Sequence, residues 1–233
     1  GNLSPLLANV YLNEFDQEFL KRGVPCIRYA DDIVLLAKSG RASERLLESS
    51  TKYLEKRLKL TVNREKSRTV SVFAIRNFKF LGFALGRNGK GTYVRVHPKS
   101  WKKFKSRLKE LSSRKRCQSI KPSLEKIKVY ARGWLNYYGI ASMKNNIDDI
   151  NGWLYHRIRM CIWKQWKKPR TKYKNLVKLG IPEHYAATIA NSRRKYWYIS
   201  NNKAVIWALN KERLINSGFY DLATAYQSVH VNY

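Results

Sequence analysis

Asp31 and Asp32 are the residues whose type and spacing most directly indicate chemistry. They are adjacent carboxylates between two short apolar runs, 26–29 and 33–37. Neighbouring carboxylates between apolar strands repel one another and lose hydration unless a cation lies beside them. Hard oxygen ligands of this kind suit Mg²⁺, with Mn²⁺ as an alternative, and such ions stabilise the charged oxygens of phosphoryl transfer. The apolar flanks alone leave a second interpretation open, an acidic turn without a metal.

The elements that position this pair are predicted to be a mixture of helices and strands. Ser4 as N-cap and Pro5 at the first helical position predict a helix to about residue 21. The two apolar runs predict a β-hairpin with residues 30–32 at its tip. A helix over 41–58 and four strands are expected to follow, with the turn signal Asn88-Gly89 before the last strand. The strands are predicted over 60–62, 69–75, 78–85 and 92–96.

From residue 97 onward the apolar spacing predicts helices. Three amphipathic helices, over 98–112, through 124–138 with Gly139 as C-cap, and through 147–162, would form a bundle. Beyond Pro169 the pattern weakens, and residues 222–233 carry no confident signal. Shorter helices are predicted over 171–179, 182–191 and 202–215. The predicted fold class is therefore α+β, with antiparallel strands and packed helices first, an all-α bundle next, and a small mixed C-terminal segment.

The net charge restricts the partners that the chain can have. The sequence has 47 Lys and Arg against 16 Asp and Glu, a formal charge of +31, and residues 97–233 hold 29 of the basic and 7 of the acidic residues. A compact body with this charge repels itself unless a polyanion compensates, which favours nucleic acid. No apolar run approaches the roughly 20 residues that a bilayer requires, so no membrane partner is expected.

The cysteines indicate the compartment. Cys26, Cys117 and Cys161 form no CxxC pair, which argues against a disulfide framework or a zinc site and favours a reducing, cytoplasmic location. The four His residues are scattered, so no endonuclease of the HNH type is expected. The oligomeric state is left open by the sequence.

Cations interleaved with aromatic residues predict a nucleic-acid-binding surface in the second half of the chain. Lys and Arg contact phosphates without reading sequence, and aromatic rings stack on unpaired bases. Base contact is predicted for Trp166 and Tyr173, and burial for Trp134 and Trp153, while Trp163 and Trp166 have a place in the helical core as their alternative. The candidate RNA-binding residues are Lys102, Lys103, Lys105, Arg107, Lys109, Arg114, Lys115, Arg116, Lys164, Trp166, Lys167, Lys168 and Arg170.

Four motifs occur in the order and spacing of the last four palm motifs of reverse transcriptases: Ser-Pro-Leu-Leu-Ala-Asn at 4–9, Tyr-Ala-Asp-Asp at 29–32, and the segments 60–67 and 80–83. With them the chain resembles group II intron-encoded maturases. Residues 131–139 are similar to the family's thumb signature, and residues 195–200 to the tail of bacterial intron proteins. The resemblance implies the second half of a palm over 1–96, a helical thumb over 97–168 and a basic nucleic-acid-binding segment over 169–233.

The resemblance also implies an activity and partners. It implies an RNA-directed DNA polymerase that uses deoxynucleoside triphosphates, an RNA template and a DNA primer, and that binds its group II intron RNA to assist splicing. Asp31 matches the metal-ligand Asp and Asp32 its supporting neighbour, while Lys66 matches a lysine near the leaving pyrophosphate, with a solvated Lys as the alternative. Matches near the primer are Tyr29 and Ala30, and in the primer grip Phe80, Leu81, Gly82 and Phe83.

One departure from the family pattern limits the expected activity. The family's palm contains a further metal-ligand Asp, fingers and a Gln-Gly motif before the Ser-Pro helix, and Gly1 fits the last glycine of that motif. These 233 residues alone are therefore expected not to polymerise. Two other classes stay open: a module that folds RNA without catalysis, and a reverse transcriptase of another lineage, such as a retron or a diversity-generating element, which the thumb signature disfavours.

Overall fold

The computed structural model describes residues 3–89, 91–115 and 119–230. The chain divides into two compact units, an N-terminal unit of residues 1–80 and a C-terminal unit of residues 81–233. The described residues contain two small antiparallel sheets and many helices, which confirms the predicted α+β class. No helix in the described ranges is long and apolar enough to cross a membrane.

The N-terminal unit consists of helices and one β-hairpin. Pro5 lies in the first turn of its first helix, but the capping position is Leu3 and no side chain caps the helix, so the predicted N-cap role of Ser4 is wrong. The second helix is capped as its sequence allows, since Ser39 Oγ accepts from the backbone N–H of Ala42 at 3.2 Å. The elements are α1 (Ser4–Lys21), β1 (Cys26–Tyr29), β2 (Asp32–Leu35), α2 (Gly40–Lys52), a π-helical turn (Tyr53–Arg57) and a 3₁₀ helix (Val72–Asn77).

Helix α1 buries its apolar stripe against the inner face of the hairpin. Leu12, Phe15 and Phe19 follow one another at spacings of three and four residues, which places them on one side of the helix. The two Phe rings are fully buried and stack with their centroids 4.3 Å apart. Burying each ring stabilises the unit by about 1.5–3 kcal/mol, so this stripe anchors α1 under the hairpin. The residues packed on it are Val24, Cys26, Ile33, Leu35, Leu46, Tyr53, Leu54 and Leu58.

Several predicted strand residues are not in strands. Residues 60–62 and 69–71 have no regular structure, residues 72–77 form the 3₁₀ helix, and only an isolated bridge at Phe80 precedes the strand that begins at Phe83. β-branched and aromatic composition measures how well a run fits a pleated, half-buried surface. A strand forms only where a neighbour supplies the ladder hydrogen bonds, and no described residue forms a ladder with residues 60–62 or 69–77.

The C-terminal unit begins with a second hairpin and continues in helices. From residue 169 the described chain is helical or irregular, so the segment expected to be mixed contains no strand there. The predicted helix over 202–215 is two helices, because Leu209 leaves helical geometry at ψ 58° and Asn210 caps a new start. The elements are β3 (Phe83–Asn88), β4 (Gly91–Val96), α3 (Pro98–Leu111), α4 (Ile120–Tyr138), α5 (Lys144–Gln165), α6 (Pro169–Lys178), α7 (Glu183–Ala190), α8 (Tyr196–Ile199), α9 (Lys203–Ala208), α10 (Lys211–Asn216) and α11 (Leu222–Val229).

The three long helices α3, α4 and α5 form the predicted bundle, and α11 packs on two of them. Trp163 is 1% exposed, so its core alternative is correct, while Trp166 and Tyr173 are half-buried against the core. Trp134 is half-buried and stacks on Phe104 at 3.9 Å, and Trp153 is half-buried as well.

Gly139 ends α4 as predicted, but with φ −58°. It is required for packing, since a Cβ there would lie 2.7 Å from the carbonyl oxygen of Leu135.

Candidate catalytic hairpin and nucleic-acid interface

The tip of the first hairpin presents the two carboxylates to solvent. Tyr29 pairs with Asp32 as the last residues of the ladder, and Ala30 and Asp31 form the two-residue turn. Ala30 has φ 52°, a left-handed conformation that costs a residue with a Cβ about 1–2 kcal/mol. Asp31, Asp32 and Tyr29 are all exposed. Because Asp31 and Asp32 are exposed, they keep their hydration in this unit, which contradicts the expected loss of hydration. Repulsion between the two carboxylates is the only part of that expectation that remains.

Arg28 ties this tip to α1, and the sequence analysis did not identify it. Its Nε and Nη2 donate to the Asp16 carboxylate at 2.9 and 2.6 Å, and its Nη1 donates to Asn9 Oδ1 at 2.9 Å and to the Ala30 carbonyl at 3.1 Å. The bond to Asp16 raises the pKa of Arg28. The alternation of side chains along β1 could have identified Arg28 in the sequence. It places Arg28 on the same inner face as Cys26, where a cation needs a partner.

The carboxylates fit part of a magnesium site. Their oxygens are the hard ligands that Mg²⁺ takes, and this ion usually keeps several waters and binds one or two carboxylates together with substrate phosphates. Among the described residues no group of three or more His, Cys, Asp and Glu is arranged to hold a metal. Asp32 shares a face with Tyr29, whereas Asp31 lies in the turn, so the two side chains have different surroundings.

Lys66 lies on an exposed turn rather than after a strand. The carbonyl and Oδ1 of Asn63 accept from the Lys66 backbone N–H at 3.2 and 3.1 Å, which fixes the turn. No hydrogen bond or ion pair within the described ranges joins its side chain to Asp31 or Asp32. The backbone of Lys66 is therefore held locally, and its ammonium group is available to a ligand.

The grip motif is divided between the two units. Phe80 belongs to the N-terminal unit, where it is half-buried and its ring centroid lies 6.5 Å from that of Phe78. Leu81, Gly82 and Phe83 belong to the C-terminal unit. The backbone turns sharply at Leu81 and Gly82, whose φ values are 51° and 82°.

The thumb signature holds the second part of this motif. Tyr137 Oη donates to the Leu81 carbonyl at 3.0 Å, and the Phe83 ring packs on Tyr137 and Tyr138 with centroids 5.5 and 5.0 Å apart. A Cβ at Gly82 would collide with the hydroxyl of Tyr138. Two motifs that were recognised separately in the sequence are therefore in contact, and Gly82 is needed for their close approach.

Most of the predicted RNA-binding cations lie at the surface. Lys164 donates to the Arg114 carbonyl at 2.9 Å and Arg107 pairs with Glu110 at 2.6 Å, so these two also have structural contacts. Lys164 and Trp166 are half-buried, and Arg116 lies outside the described residues. The exposed members are Lys102, Lys103, Lys105, Arg107, Lys109, Arg114, Lys115, Lys167, Lys168 and Arg170.

Two further cations of the C-terminal unit have structural positions that the sequence did not reveal. Arg157 closes the carboxyl end of α3, because its Nε donates to Ser112 Oγ at 2.6 Å and its Nη2 donates to the Lys109 carbonyl at 2.8 Å. Lys172 is 8% exposed and lies 4.9 Å from the ring centroid of Trp163. Burial lowers the pKa of Lys172.

Comparison with known proteins agrees with this division of the chain. The family model for reverse transcriptase (RNA-dependent DNA polymerase) matches residues 1–85, and the model for the group II intron, maturase-specific domain matches residues 101–180. A search of curated proteins finds no match. The two family matches occur in the order expected from the motifs and together cover more than half of the chain, which therefore belongs to the group II intron-encoded reverse transcriptase and maturase family.

Proposed function

We propose that the chain supplies the metal-binding hairpin and the nucleic-acid grip of an RNA-directed DNA polymerase. The observation that carries this proposal is the exposed Asp31–Asp32 pair at a hairpin tip whose turn is tied to α1 by Arg28. Asp31 acts as the ligand of Mg²⁺, or of Mn²⁺ as the alternative, and Asp32 supports the site. The ion would supply stabilisation of the charged attacking and leaving oxygens.

The other residues of the site act on the substrates. Tyr29, which is 65% exposed beside Asp32, contacts the primer terminus. The bent backbone at Leu81 and Gly82 approaches the primer strand, since glycine permits a close approach. Lys66 donates a proton or a hydrogen bond to the pyrophosphate that leaves when a deoxynucleoside triphosphate reacts.

The C-terminal unit binds the polyanionic partners. It contains 32 Lys and Arg against 7 Asp and Glu, a net charge of +25. Cations in this excess bind an RNA template paired with a DNA primer, and the same surface binds group II intron RNA during splicing. Both partners have the phosphate backbone that such a surface contacts.

According to this proposal, the 233 residues alone do not extend a primer, because they do not include the further metal-ligand Asp of the family pattern. The test therefore fuses the chain behind the fingers and first palm motifs of a family member and measures primer extension on an RNA template. Asp31→Ala should lower the rate by about 10³-fold, because a lost metal ligand removes several kcal/mol of transition-state stabilisation.

The control variant is Asp148→Ala, an exposed Asp in the C-terminal unit, which should keep the wild-type rate. Equal rates for Asp31→Ala and the unmodified fusion would reject the proposed metal ligand. Primer extension by the isolated 233 residues would reject the proposed dependence on a further Asp.

A second candidate function is an RNA-binding module that assists splicing without polymerisation. The charge of +25 on the C-terminal unit favours it, because this charge does not depend on the carboxylates. It predicts that Asp31→Ala leaves RNA affinity and splicing assistance unchanged in a fusion that shows no polymerisation at all.

A further inference from the structure

A groove between three helices of the C-terminal unit combines cations with tryptophans. Its volume is about 500 Å³, within the range of about 300–1,000 Å³ that small-molecule sites occupy. Helix α3 supplies most of one wall, and Trp153 and Trp197 lie on the others. The lining residues are Lys102, Lys105, Ser106, Lys109, Trp153, Arg157 and Trp197.

Trp197 presents a fixed ring to this groove. One of its faces stacks on His156 with centroids 3.6 Å apart, and His156 Nε2 donates to the Trp197 carbonyl at 2.8 Å. Burial lowers the pKa of His156, which favours the neutral imidazole. Trp197 is nevertheless 42% exposed, which leaves ring surface open to a second stacking partner.

The cations of the groove divide into fixed and free ones. Arg157 is bound to the end of α3 and lies 5.0 Å from the Trp153 ring, so it forms part of the wall. Lys102, Lys105 and Lys109 are exposed, and none of them forms an ion pair with another described residue. The only ring contact among these three in the described ranges is that of Lys105 Nζ, 5.5 Å from the Trp153 centroid.

The three lysines follow one line along α3. Their spacings of three and four residues place them on one face of the helix, and they span about 10 Å at 1.5 Å per residue. A row of ammonium groups beside an exposed indole suits a chain that alternates charged and flat groups. A single nucleic-acid strand has this pattern of phosphates and bases, whereas a duplex keeps its base faces stacked inside.

We propose that this groove binds an unpaired stretch of nucleic acid, with one base stacked on Trp197 and the neighbouring phosphates bound by Lys102, Lys105 and Lys109. The inference deepens the proposed function and rests on it, because it assumes that the C-terminal unit binds nucleic acid. It adds a base-stacking site centred on α8, which the candidate cations alone do not contain.

The test measures binding of the 233-residue chain to a labelled 12-nucleotide oligo(U) by fluorescence anisotropy. Trp197→Ala should weaken binding by about 5- to 100-fold, the effect of one lost base–aromatic stack, and Trp197→Phe should restore most of it. An abasic strand of the same length and charge should bind equally to the wild type and Trp197→Ala. Trp207→Ala is the control, since Trp207 on α9 is 60% exposed and lies outside the groove.

The lysines are tested through the salt dependence of the same binding. Lys105→Gln should reduce the slope of log Kd against log salt by about 0.7, the value for one phosphate contact on a single strand. Lys126→Gln, an exposed lysine on α4, should leave the slope unchanged. The same measurement with oligo(dU) distinguishes RNA from DNA as the bound strand. Equal affinity would mean that the groove binds both kinds of strand, and weaker binding of oligo(dU) would mean that it prefers RNA.

The outcomes separate the groove from the general function. If the wild type binds oligo(U) and Trp197→Ala binds equally well, the groove is wrong and nucleic-acid binding by the unit stands. An equal loss of affinity for the abasic strand would also overturn base stacking. If the wild type binds neither strand, the groove is rejected, and the proposed function of the C-terminal unit is rejected with it only if an RNA template paired with a DNA primer is not bound either.

Discussion

At the scale of single residues, Arg28 decides how the tip of the first hairpin is held. Its side chain is 12% exposed and reaches the Asp16 carboxylate on α1 and the carbonyl of Ala30 in the turn. Ala30 needs this support, because its positive φ is unfavourable for any residue except glycine. The side chains of Arg28 and Asp16 take no part in the proposed chemistry, but they fix the position of the turn that contains Asp31.

A double-mutant cycle on Arg28→Met and Asp16→Asn should give a coupling energy of about 1–2 kcal/mol, because the pair is partly buried and bonded through two nitrogens. The measurement is hydrogen exchange of the amides in β1 and β2. Arg57 and Glu14 form the matched control, since their side chains are 71% and 48% exposed and an exposed pair couples by about 0.5 kcal/mol or less. Equal coupling energies in the two cycles would contradict the conclusion that Arg28 and Asp16 hold the hairpin tip.

At the scale of elements, Asp221 connects the last helix to the bundle. Its Oδ1 accepts from the Thr224 N–H at 2.8 Å and so caps α11. Its Oδ2 accepts from Asn151 Nδ2 at 2.9 Å and from Tyr155 Oη at 2.8 Å, both on α5. Burial alone would raise the pKa of Asp221, but these hydrogen bonds outweigh it and hold the pKa well below its ordinary value.

Asp221→Asn should lower the free energy of unfolding at pH 7 by about 2–3 kcal/mol, since the amide nitrogen that replaces Oδ2 cannot accept the two buried hydrogen bonds from α5, although Oδ1 can still cap α11. Because the folded pKa is depressed, the stabilisation is present above about pH 4, the ordinary value for Asp, and is lost as the pH falls below it toward the folded pKa. Urea unfolding between pH 2.5 and 7 should therefore show a steeper acid loss for wild type than for Asp221→Asn. Parallel pH profiles for the two proteins would contradict a stabilising role of the hydrogen-bonded carboxylate. The control is Asp149→Asn, at an exposed position.

At the scale of the whole molecule, the chain is two units with separate cores. The cluster around Phe15 and Phe19 uses only residues of the N-terminal unit, and the cluster around Leu108 and Ile158 uses only residues of the C-terminal unit. All seven Trp residues lie in the C-terminal unit, so tryptophan fluorescence reports on that unit alone.

Residues 81–233 expressed without the N-terminal unit should therefore fold cooperatively. Their unfolding free energy, followed by tryptophan fluorescence in urea, should agree with that of the full chain within about 1 kcal/mol, because a domain with its own core folds as a unit. A non-cooperative transition, or a much lower midpoint, would mean that this core depends on residues 1–80. The full chain measured in the same buffer is the reference.

The sequence predicts elements whose signals are local. The spacing of Leu12, Phe15 and Phe19 locates α1, and the apolar runs around the Asp pair locate the hairpin, because both patterns arise within one element. The catalytic carboxylates, Lys66 and the primer-contact residues stay predictions, since they depend on substrates. The strand predicted over 69–75 fails because composition does not reveal whether a partner strand exists.

Contacts between distant segments could not be predicted. The Arg28 bonds join residues 12 and 19 positions apart, and the groove joins α3 to Trp197 across more than 80 positions of the chain. The sequence carries no confident signal for helix α11, since Asp221 bonds Asn151 and Tyr155, 70 and 66 residues away, and Leu222 and Tyr226 pack into the core of the bundle. Such interactions depend on the tertiary fold, which a single sequence pattern does not encode.

Tyr137 donates to the Leu81 carbonyl and Tyr138 lies close to Gly82, so the end of α4 is coupled to the bend before β3. Because one hydrogen bond and two ring contacts join the end of α4 to residues 81–83, a tilt of α4 would carry the bend with it. Under the proposed function, a movement of α4 toward bound nucleic acid would therefore also move this bend. The absence of a side chain at Gly82 would then be a requirement for this coupled motion as well as for the packing.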